Sequence, residues 1–129
     1  MLVGVTDWNG IVSPSLDAAS SLALYEAGAA GAEPRGRVAL GELFPPLRAA
    51  EVAASGVEVL ICGAVSNALA AALSARGITL VPFVSGPVEE VVRAYVAGTL
   101  WAPRFALPGC RRWRHRWGRG GPRGPAGPW

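Results

Sequence analysis

The sequence predicts an α/β protein in which helices cover a mixed five-stranded sheet. Near the N-terminus, short apolar runs alternate with turn signals such as Asn9-Gly10, a pattern typical of an antiparallel β-meander. Further along, apolar strands alternate with segments of helical spacing, which is typical of βαβα units with parallel pairing. The chain has 129 residues, of which 51% are apolar, and this is enough for one domain with its own core.

The meander is expected to contain three strands. The first runs from Leu2 to Trp8 and continues after the turn into Ile11-Val12. The second runs from Leu22 to Glu26, and a short third strand follows from Arg37 to Leu40. The glycines and alanines of residues 28–34 favour a loop between the second and third strands. Consecutive short strands of this kind predict antiparallel pairs.

A helix should follow the meander, because Pro45-Pro46 suits a first helical turn. Its buried face should consist of Leu47, Ala50 and Ala54, which recur at helical spacing before a stop at Gly56. The next segment, Val57 to Cys62, is apolar at almost every position, which indicates a central parallel strand covered on both faces.

Two more helices and one more strand complete the predicted fold. Ser66 is a suitable N-cap for a helix that should end at Arg76-Gly77. The segment from Ile78 to Val84 should be the last strand, and Pro82 inside it favours an edge of the sheet. Gly86-Pro87 should open the last helix, which carries a wide apolar stripe.

Charge divides the chain into two parts. Residues 1–100 contain five arginines and nine acidic residues, a net charge of −4, and are predicted to be the folded domain. Residues 101–129 contain seven arginines and no carboxylate, a net charge of +7, in a Gly/Pro/Arg-rich composition that favours a disordered tail. The arginines and tryptophans of residues 104–123 suit contact with nucleic acid, docking on an acidic protein, or a plain solvated extension.

Several short motifs occur in a fixed order along the chain. They are Asp7 with Gly10 and Ser13-Pro14, Ile61-Cys62-Gly63, Gly77-Ile78, Val88-Glu89-Glu90, and Leu107-Pro108-Gly109-Cys110 before the Arg-rich end. In this order and spacing the chain resembles the dinitrogenase iron–molybdenum cofactor biosynthesis family, which includes NifX, NafY and the C-terminal domain of NifB. The resemblance covers residues 1–110 and implies a ribonuclease-H-like fold.

The resemblance also implies a function. Members of the family bind an iron–sulfur or iron–molybdenum-type cluster or its precursor and work with cluster-assembly proteins, so the same cofactor and partners are expected here. The family's Ser-Pro-His-Phe-Gly turn is replaced by Ser13-Pro14-Ser15-Leu16-Asp17. The turn of this chain therefore carries neither the histidine nor the glycine.

The candidate binding residues lie where the predicted parallel strands end. Cys62 and Gly63 end the central strand, at the edge where α/β folds bind ligands, so the Cys62 thiolate is the candidate metal ligand. The alternative for Cys62 is a small buried core residue. Ser66 and Asn67 are suited to hold an anion at a helix N-terminus, or only to cap that helix.

Asp7 and Ser13 join the same candidate site if the first strand is a neighbour of the central strand. They would then face one crevice together with Cys62 and Ser66, and the site would offer oxygen and sulfur atoms to a cluster. The alternative for Asp7 is a turn or capping carboxylate.

Catalysis is not expected from this set of residues. Nucleophiles of the Ser–His or Cys–His type need a histidine, and the only one, His115, lies in the tail. A two-metal nuclease needs several converging carboxylates, and Asp7 alone follows a suitable strand. The sequence also contains no glycine loop of the Walker or dinucleotide-binding type.

The sequence therefore favours a non-catalytic protein that binds or carries a cluster. The alternative is a ligand-free interaction or regulatory module whose basic tail contacts nucleic acid or an acidic protein. No uncharged apolar run reaches the roughly 20 residues that span a bilayer. The first residues also lack the charged start of a signal peptide. We therefore expect a cytoplasmic protein without a membrane partner, in which both cysteines stay reduced.

Overall fold

The structure is a computed structural model that describes residues 1–106. Within this range it contains six strands, three α-helices and one short 3-10 helix. In chain order they are β1 (Leu2–Trp8), β2 (Ile11–Val12), β3 (Ser21–Gly28), β4 (Gly31–Ala39), α1 (Pro45–Ala54), β5 (Val59–Ile61), α2 (Asn67–Ala75), β6 (Thr79–Val81), α3 (Val88–Ala97) and the 3-10 helix Pro103–Phe105.

The sheet has the mixed topology that the sequence predicts. Its strand order is β4-β3-β1-β5-β6, and the two-residue β2 pairs with β1 outside this path. The pairs β1–β3 and β3–β4 are antiparallel and form the meander, whereas the pairs β1–β5 and β5–β6 are parallel. The predicted α/β architecture is confirmed, and β6 lies at an edge, as Pro82 just after it indicates.

Helices cover both faces of the sheet, which gives three layers. On one face α3 packs on β1, β3 and β4, and Val88 and Val91 are buried with Val3 and Val5. On the other face α1 and α2 pack on each other over a second core. Because side chains alternate along a strand, the odd-numbered residues of β1 face α3 and the even-numbered ones face α1 and α2.

The ends of α2 and α3 follow the predicted local signals. Ser66 caps α2, since its Oγ accepts a hydrogen bond from Leu69 N. Helix α3 has Glu89 and Glu90 in its first turn, where the helix dipole favours negative charge. It ends at Gly98, whose φ of 78° is the left-handed conformation that glycine adopts most readily.

The prediction for the meander was wrong in one segment. Residues 28–34, expected to form a loop, instead make a tight hairpin, so that β4 begins at Gly31 and not at Arg37. A β-bulge interrupts the pairing of β4 with β3, and most of β4 is exposed. The alternation of apolar and polar residues is therefore weak in β4 and does not predict the first part of this strand.

The buried face of α1 also differs from the prediction. Leu47, expected in the core, is 50% exposed, and Ala54 is exposed as well. The buried side chains of this helix are Arg48, Ala49 and Val52. Because an arginine takes a core position, the apolar residues at helical spacing predict a face of α1 that is not the buried one.

Arg48 is buried by hydrogen bonds to the backbone. Its side chain is 1% exposed and forms no ion pair within residues 1–106. The guanidinium donates from Nη1 to the carbonyl oxygens of Leu16 and Ala19, and from Nε to that of Glu42. Three carbonyl groups from two loops are thereby fixed to one side chain, which satisfies a charge that would otherwise be costly to bury.

The described fold continues past the predicted domain boundary at residue 100. Phe105 is 2% exposed in the core on the α3 side, and Ala106 forms a β-bridge with Val84. The remainder of the tail, for which disorder is predicted, lies from residue 107 onward outside the described residues. In the described part of the chain, no helix combines the length and the apolarity that crossing a membrane requires.

The role of Arg48 can be tested by an Arg48→Met substitution, which keeps the apolar stem and removes the donors. We expect a loss of about 2 kcal/mol in the free energy of unfolding, because buried carbonyl groups lose their partners. Urea denaturation of the full chain measures it. The control is Arg35→Met, since Arg35 is exposed, and it should change stability by less than about 0.5 kcal/mol. Equal stability of the two variants would contradict the assignment.

Candidate functional site

The ends of β1, β5 and β6 meet at one edge of the sheet, which we call the carboxyl edge because these strands are parallel. The loop of residues 13–19 crosses this edge and pairs with the chain after β5. Ala64 N donates to Pro14 O, and Leu16 N donates to Ala64 O, both at 2.8 Å. The first strand is a neighbour of the central parallel strand, since β1 pairs with β5, so the condition for a shared site is met.

Gly63 permits the close approach of the two segments. A Cβ atom at Gly63 would lie 2.5 Å from the carbonyl oxygens of both Ser13 and Pro14, a contact that backbone atoms cannot relieve. On its other side, Phe83 N donates to the Gly63 carbonyl at 2.9 Å, and Phe83 itself has a φ of 65°. A bulky residue rarely adopts this conformation, and nothing in the sequence indicates it.

Cys62 lies in the core and not at the surface of the carboxyl edge. It is 0% exposed and belongs to the cluster on the α1 and α2 side, with Leu60, Leu69 and Leu73. Burial raises the pKa of the thiol, and the nearby Asp17 carboxylate raises it further. A buried, protonated thiol is a poor metal ligand and a poor nucleophile. The observed position of Cys62 is that of a small core residue.

The N-terminus of α2 already binds a carboxylate from the same chain. Ser66 N donates to Asp17 Oδ1 at 2.8 Å, and Ser66 Oγ donates to Asp17 Oδ2 at 2.6 Å. The predicted position for an anion at this helix is therefore filled by Asp17. Asn67, the first residue of the helix, is exposed beside it. Asp17 was not predicted as a site residue. It replaces the glycine of the family's Ser-Pro-His-Phe-Gly turn, and this replacement could have indicated it.

Asp7 lies on the opposite face of the sheet from Cys62. Asp7 is an odd-numbered residue of β1, so its side chain lies on the α3 face of the sheet, where it borders a cavity. Its side chain is 4% exposed, forms an ion pair with Arg37 and accepts a hydrogen bond from Gly10 N at 2.8 Å. The structure therefore does not form the expected crevice shared by Asp7 and Cys62. Of the predicted residues, Ser13 and Gly63 are in contact at the carboxyl edge, and Ser66 and Asn67 follow at the start of α2.

The side chains near the carboxyl edge do not form a set of ligands for iron. Within residues 1–106, no group of three or more His, Cys, Asp or Glu side chains is placed to hold a metal ion. The thiol of Cys62 is buried, and the carboxylates of Asp7 and Asp17 are engaged by Arg37 and Ser66. The exposed groups of the edge are the Asn67 amide and the Ser66 hydroxyl, which Asp17 already binds, whereas the Ser13 hydroxyl is buried and donates to Ser15 O. Such groups form hydrogen bonds and are not soft metal ligands.

The sequence as a whole matches one protein family. The family described as dinitrogenase iron-molybdenum cofactor matches residues 1–98, which is most of the chain. The chain belongs to this family. The resemblance inferred from its short motifs is confirmed over these residues, whereas a search of curated proteins found no match.

Three solved structures have the same fold as this family member. A protein solved as PH0822 is 16% identical, with a TM-score of 0.69, over 76% of this chain and 92% of that one. A candidate dinitrogenase from Methanocaldococcus jannaschii is 13% identical, with a TM-score of 0.59, over 77% and 90% of the two chains. A candidate NifB protein from Thermotoga is 23% identical, with a TM-score of 0.56, over 76% and 89%. At these identities the likeness shows the fold alone.

The burial of Cys62 can be tested by thiol labelling. In a Cys110→Ser variant the remaining thiol is Cys62, and it should react with a disulfide reagent far more slowly in the folded protein than in urea. The reason is that burial both blocks access and keeps the thiol protonated at mildly alkaline pH. The coloured thiolate that the reagent releases measures the rate at which Cys62 is labelled. Labelling of the folded variant at the rate seen in urea would contradict the assignment of Cys62 to the core.

Proposed function

We propose that this protein is a non-catalytic binding protein or carrier for an iron–sulfur or iron–molybdenum cluster, or for a precursor of it. The first support is its family, whose description names the iron–molybdenum cofactor of dinitrogenase. The cluster is cargo in this proposal, and the partners are the cluster-assembly proteins that deliver and receive it. We place this exchange in the cytoplasm, where thiols stay reduced.

The carboxyl edge is the surface that we propose for the cargo, and its arrangement of hydrogen-bonding groups carries the proposal. Ser66 and Asn67 are exposed at the start of α2, which follows Gly63 along the chain. Ser13 lies against Gly63, but it is 7% exposed and its hydroxyl donates to Ser15 O. A cluster that brings its own sulfide ligands is anionic, and hydrogen bonds to its sulfur atoms stabilise it without a protein thiolate. Because Asp17 already occupies Ser66, an anionic cargo competes with it and is easily released.

The same set of residues supports a non-catalytic role. Within residues 1–106 there is no histidine, and the thiol of Cys62 is buried and protonated at neutral pH. Asp7, the carboxylate near the end of β1, is held by Arg37 and faces α3, on the opposite side of the sheet from Cys62. These residues do not provide a general base beside a nucleophile, as covalent catalysis requires.

A second candidate function is a ligand-free interaction module, and an exposed apolar patch favours it. Leu43, Phe44 and Leu47 are 68%, 64% and 50% exposed and lie close together at the start of α1. The loop before them is held in place, since Glu51 accepts hydrogen bonds from the amides of Gly41 and Glu42. A rigid apolar patch of this kind is typical of protein–protein contact. In this candidate the basic tail adds contacts to nucleic acid or an acidic protein.

Cluster loading of the full chain separates the two candidates. The protein is purified without oxygen, its iron and molybdenum are measured, and a preformed iron–sulfur cluster is then added. The proposal predicts bound cluster, detected by its visible absorption after gel filtration. It also predicts that Cys62→Ala retains the cluster, because the thiol is not a ligand, whereas Ser66→Ala with Asn67→Ala loses at least about tenfold in affinity, since donors to a charged group are removed.

Two results would overturn the proposal in different ways. If wild-type protein contains neither metal and does not take up added cluster, the interaction module is the remaining function. If a folded Cys62→Ala variant loses the cluster while the Ser66 and Asn67 double variant keeps it, the cluster is bound through the thiolate. The far-UV circular dichroism of each variant provides the control for folding.

A further inference from the structure

A groove separates α3 from the β3–β4 hairpin, on the face of the sheet opposite Cys62. It consists of two adjoining cavities of about 350 and 440 Å³, which share Tyr25, Pro34 and Glu89. Cavities of this size are typical of sites for small molecules. We call it the α3 groove. It borders the carboxyl edge at Asp7, near the end of β1, but Ser13, Gly63, Ser66 and Asn67 line neither cavity. A ligand in the groove and a cluster would therefore contact different residues.

A β-bulge decides which arginine of β4 reaches this groove. Between the residues paired with Leu24 and Tyr25, β4 has one residue more than β3, and that extra residue is Arg35. The bulge changes the alternation of β4, so that Arg37 pairs with Ala23 and lines the groove while Arg35 does not. Bulges commonly re-aim a side chain next to a binding site.

One part of the α3 groove carries a fixed guanidinium group. Asp7, 4% exposed, binds Arg37 through one carboxylate oxygen and Gly10 N through the other. Arg37 itself is 61% exposed, and its other N–H groups donate to no described residue. A guanidinium held on one side by a buried carboxylate offers its free N–H groups to a second carboxylate in a paired geometry.

The middle of the groove carries a carboxylate beside a phenol ring. Glu89, in the first turn of α3, forms no ion pair with any described residue and belongs to both cavities. Burial raises the pKa of Tyr25, the charges of Glu89 and Asp7 raise it further, and Arg37 opposes them. Asp7, Arg37 and Glu89 line the same cavity as Tyr25. A carboxylate and an aromatic ring together are a favourable place for an ammonium group.

The second cavity supplies an apolar wall. Its lining comes mainly from small and branched aliphatic side chains of the β3–β4 turn and of α3, including Ala30, Ala32, Val92 and Val96, and it also includes the exposed Arg93 of α3. Because this cavity adjoins Glu89, an aliphatic side chain can rest in it while polar groups of the same molecule reach Glu89 and Arg37.

We propose that the α3 groove binds a free α-amino acid with an apolar side chain. Its carboxylate pairs with Arg37, its ammonium group lies between Glu89 and the ring of Tyr25, and its side chain fills the aliphatic cavity. A zwitterion places an opposite charge beside Glu89 and also beside the N–H groups of Arg37 that Asp7 does not bind. A ligand with a single charge makes only one of these two interactions, which weakens its binding.

Three matched ligands test the proposal on the full chain. L-leucine has both charges, 4-methylpentanoate lacks the ammonium group, and 3-methylbutylamine lacks the carboxylate. Isothermal titration calorimetry should show L-leucine binding at least about tenfold more tightly than either analogue, because each analogue lacks one charge-assisted interaction. Thermal denaturation with millimolar ligand should rank the three compounds in the same order.

Two substitutions with matched controls locate the binding. Glu89→Gln should lower the affinity for L-leucine about tenfold, since the ammonium group has lost its partner. The affinity for 4-methylpentanoate, which has no ammonium group, should be unchanged. Glu90→Gln, the neighbouring exposed carboxylate outside the groove, should change neither. In the same way, Arg37→Gln should lower the affinity for L-leucine and leave that for 3-methylbutylamine unchanged. Its control, Arg35→Gln at the bulge residue, should change neither affinity.

The proposal is overturned if L-leucine produces neither heat nor thermal stabilisation, or if either single-charge analogue binds as tightly as L-leucine. It is also overturned if Glu89→Gln binds L-leucine as the wild type does. Glu89 is exposed, so that its substitution tests the site even if Arg37→Gln, which unpairs the buried Asp7, does not fold.

Discussion

The hydrogen bonds of Arg48 hold the site of this protein together. One buried guanidinium joins α1 to the carbonyl groups of Leu16 and Ala19, in the loop that crosses the carboxyl edge. That loop in turn contacts Gly63 and carries Asp17 to the start of α2. A charge bound by neutral carbonyl groups is stable only while all of them stay in place. The shape of the edge is therefore linked to the packing of a helix outside it.

This arrangement gives the two faces of the sheet different roles. Toward α1 and α2 the interior is closed, with Cys62 in the core and the start of α2 occupied by Asp17. Toward α3 the sheet leaves an open groove with Asp7, Arg37 and Glu89 along it. The side chains expected to form one site are thus divided by the sheet itself, because successive residues of β1 face opposite sides.

The fold was largely predictable, because its local signals agree with its packing. The apolar run from Val57 to Cys62, the cap at Ser66 and the stop at Gly98 each act within a few residues. The site was less predictable. Two of the three carbonyl partners of Arg48 lie 29 and 32 residues away, and the Asp17 carboxylate lies 49 residues from Ser66, so no local pattern reveals these contacts. The face on which each strand residue lies also depends on pairing between distant strands, which a single sequence does not state.

Residue-resolved amide hydrogen exchange of wild-type protein and of the Arg48→Met variant tests this linkage most directly. If Arg48 holds the loop, the variant loses protection at the amides of Leu16, Ala64 and Ser66, which form the hydrogen bonds of the carboxyl edge. The amides of Val5 and Ile61, inside the sheet, should keep theirs. Unchanged exchange at the edge, or an equal loss of protection in the strands, would contradict the account.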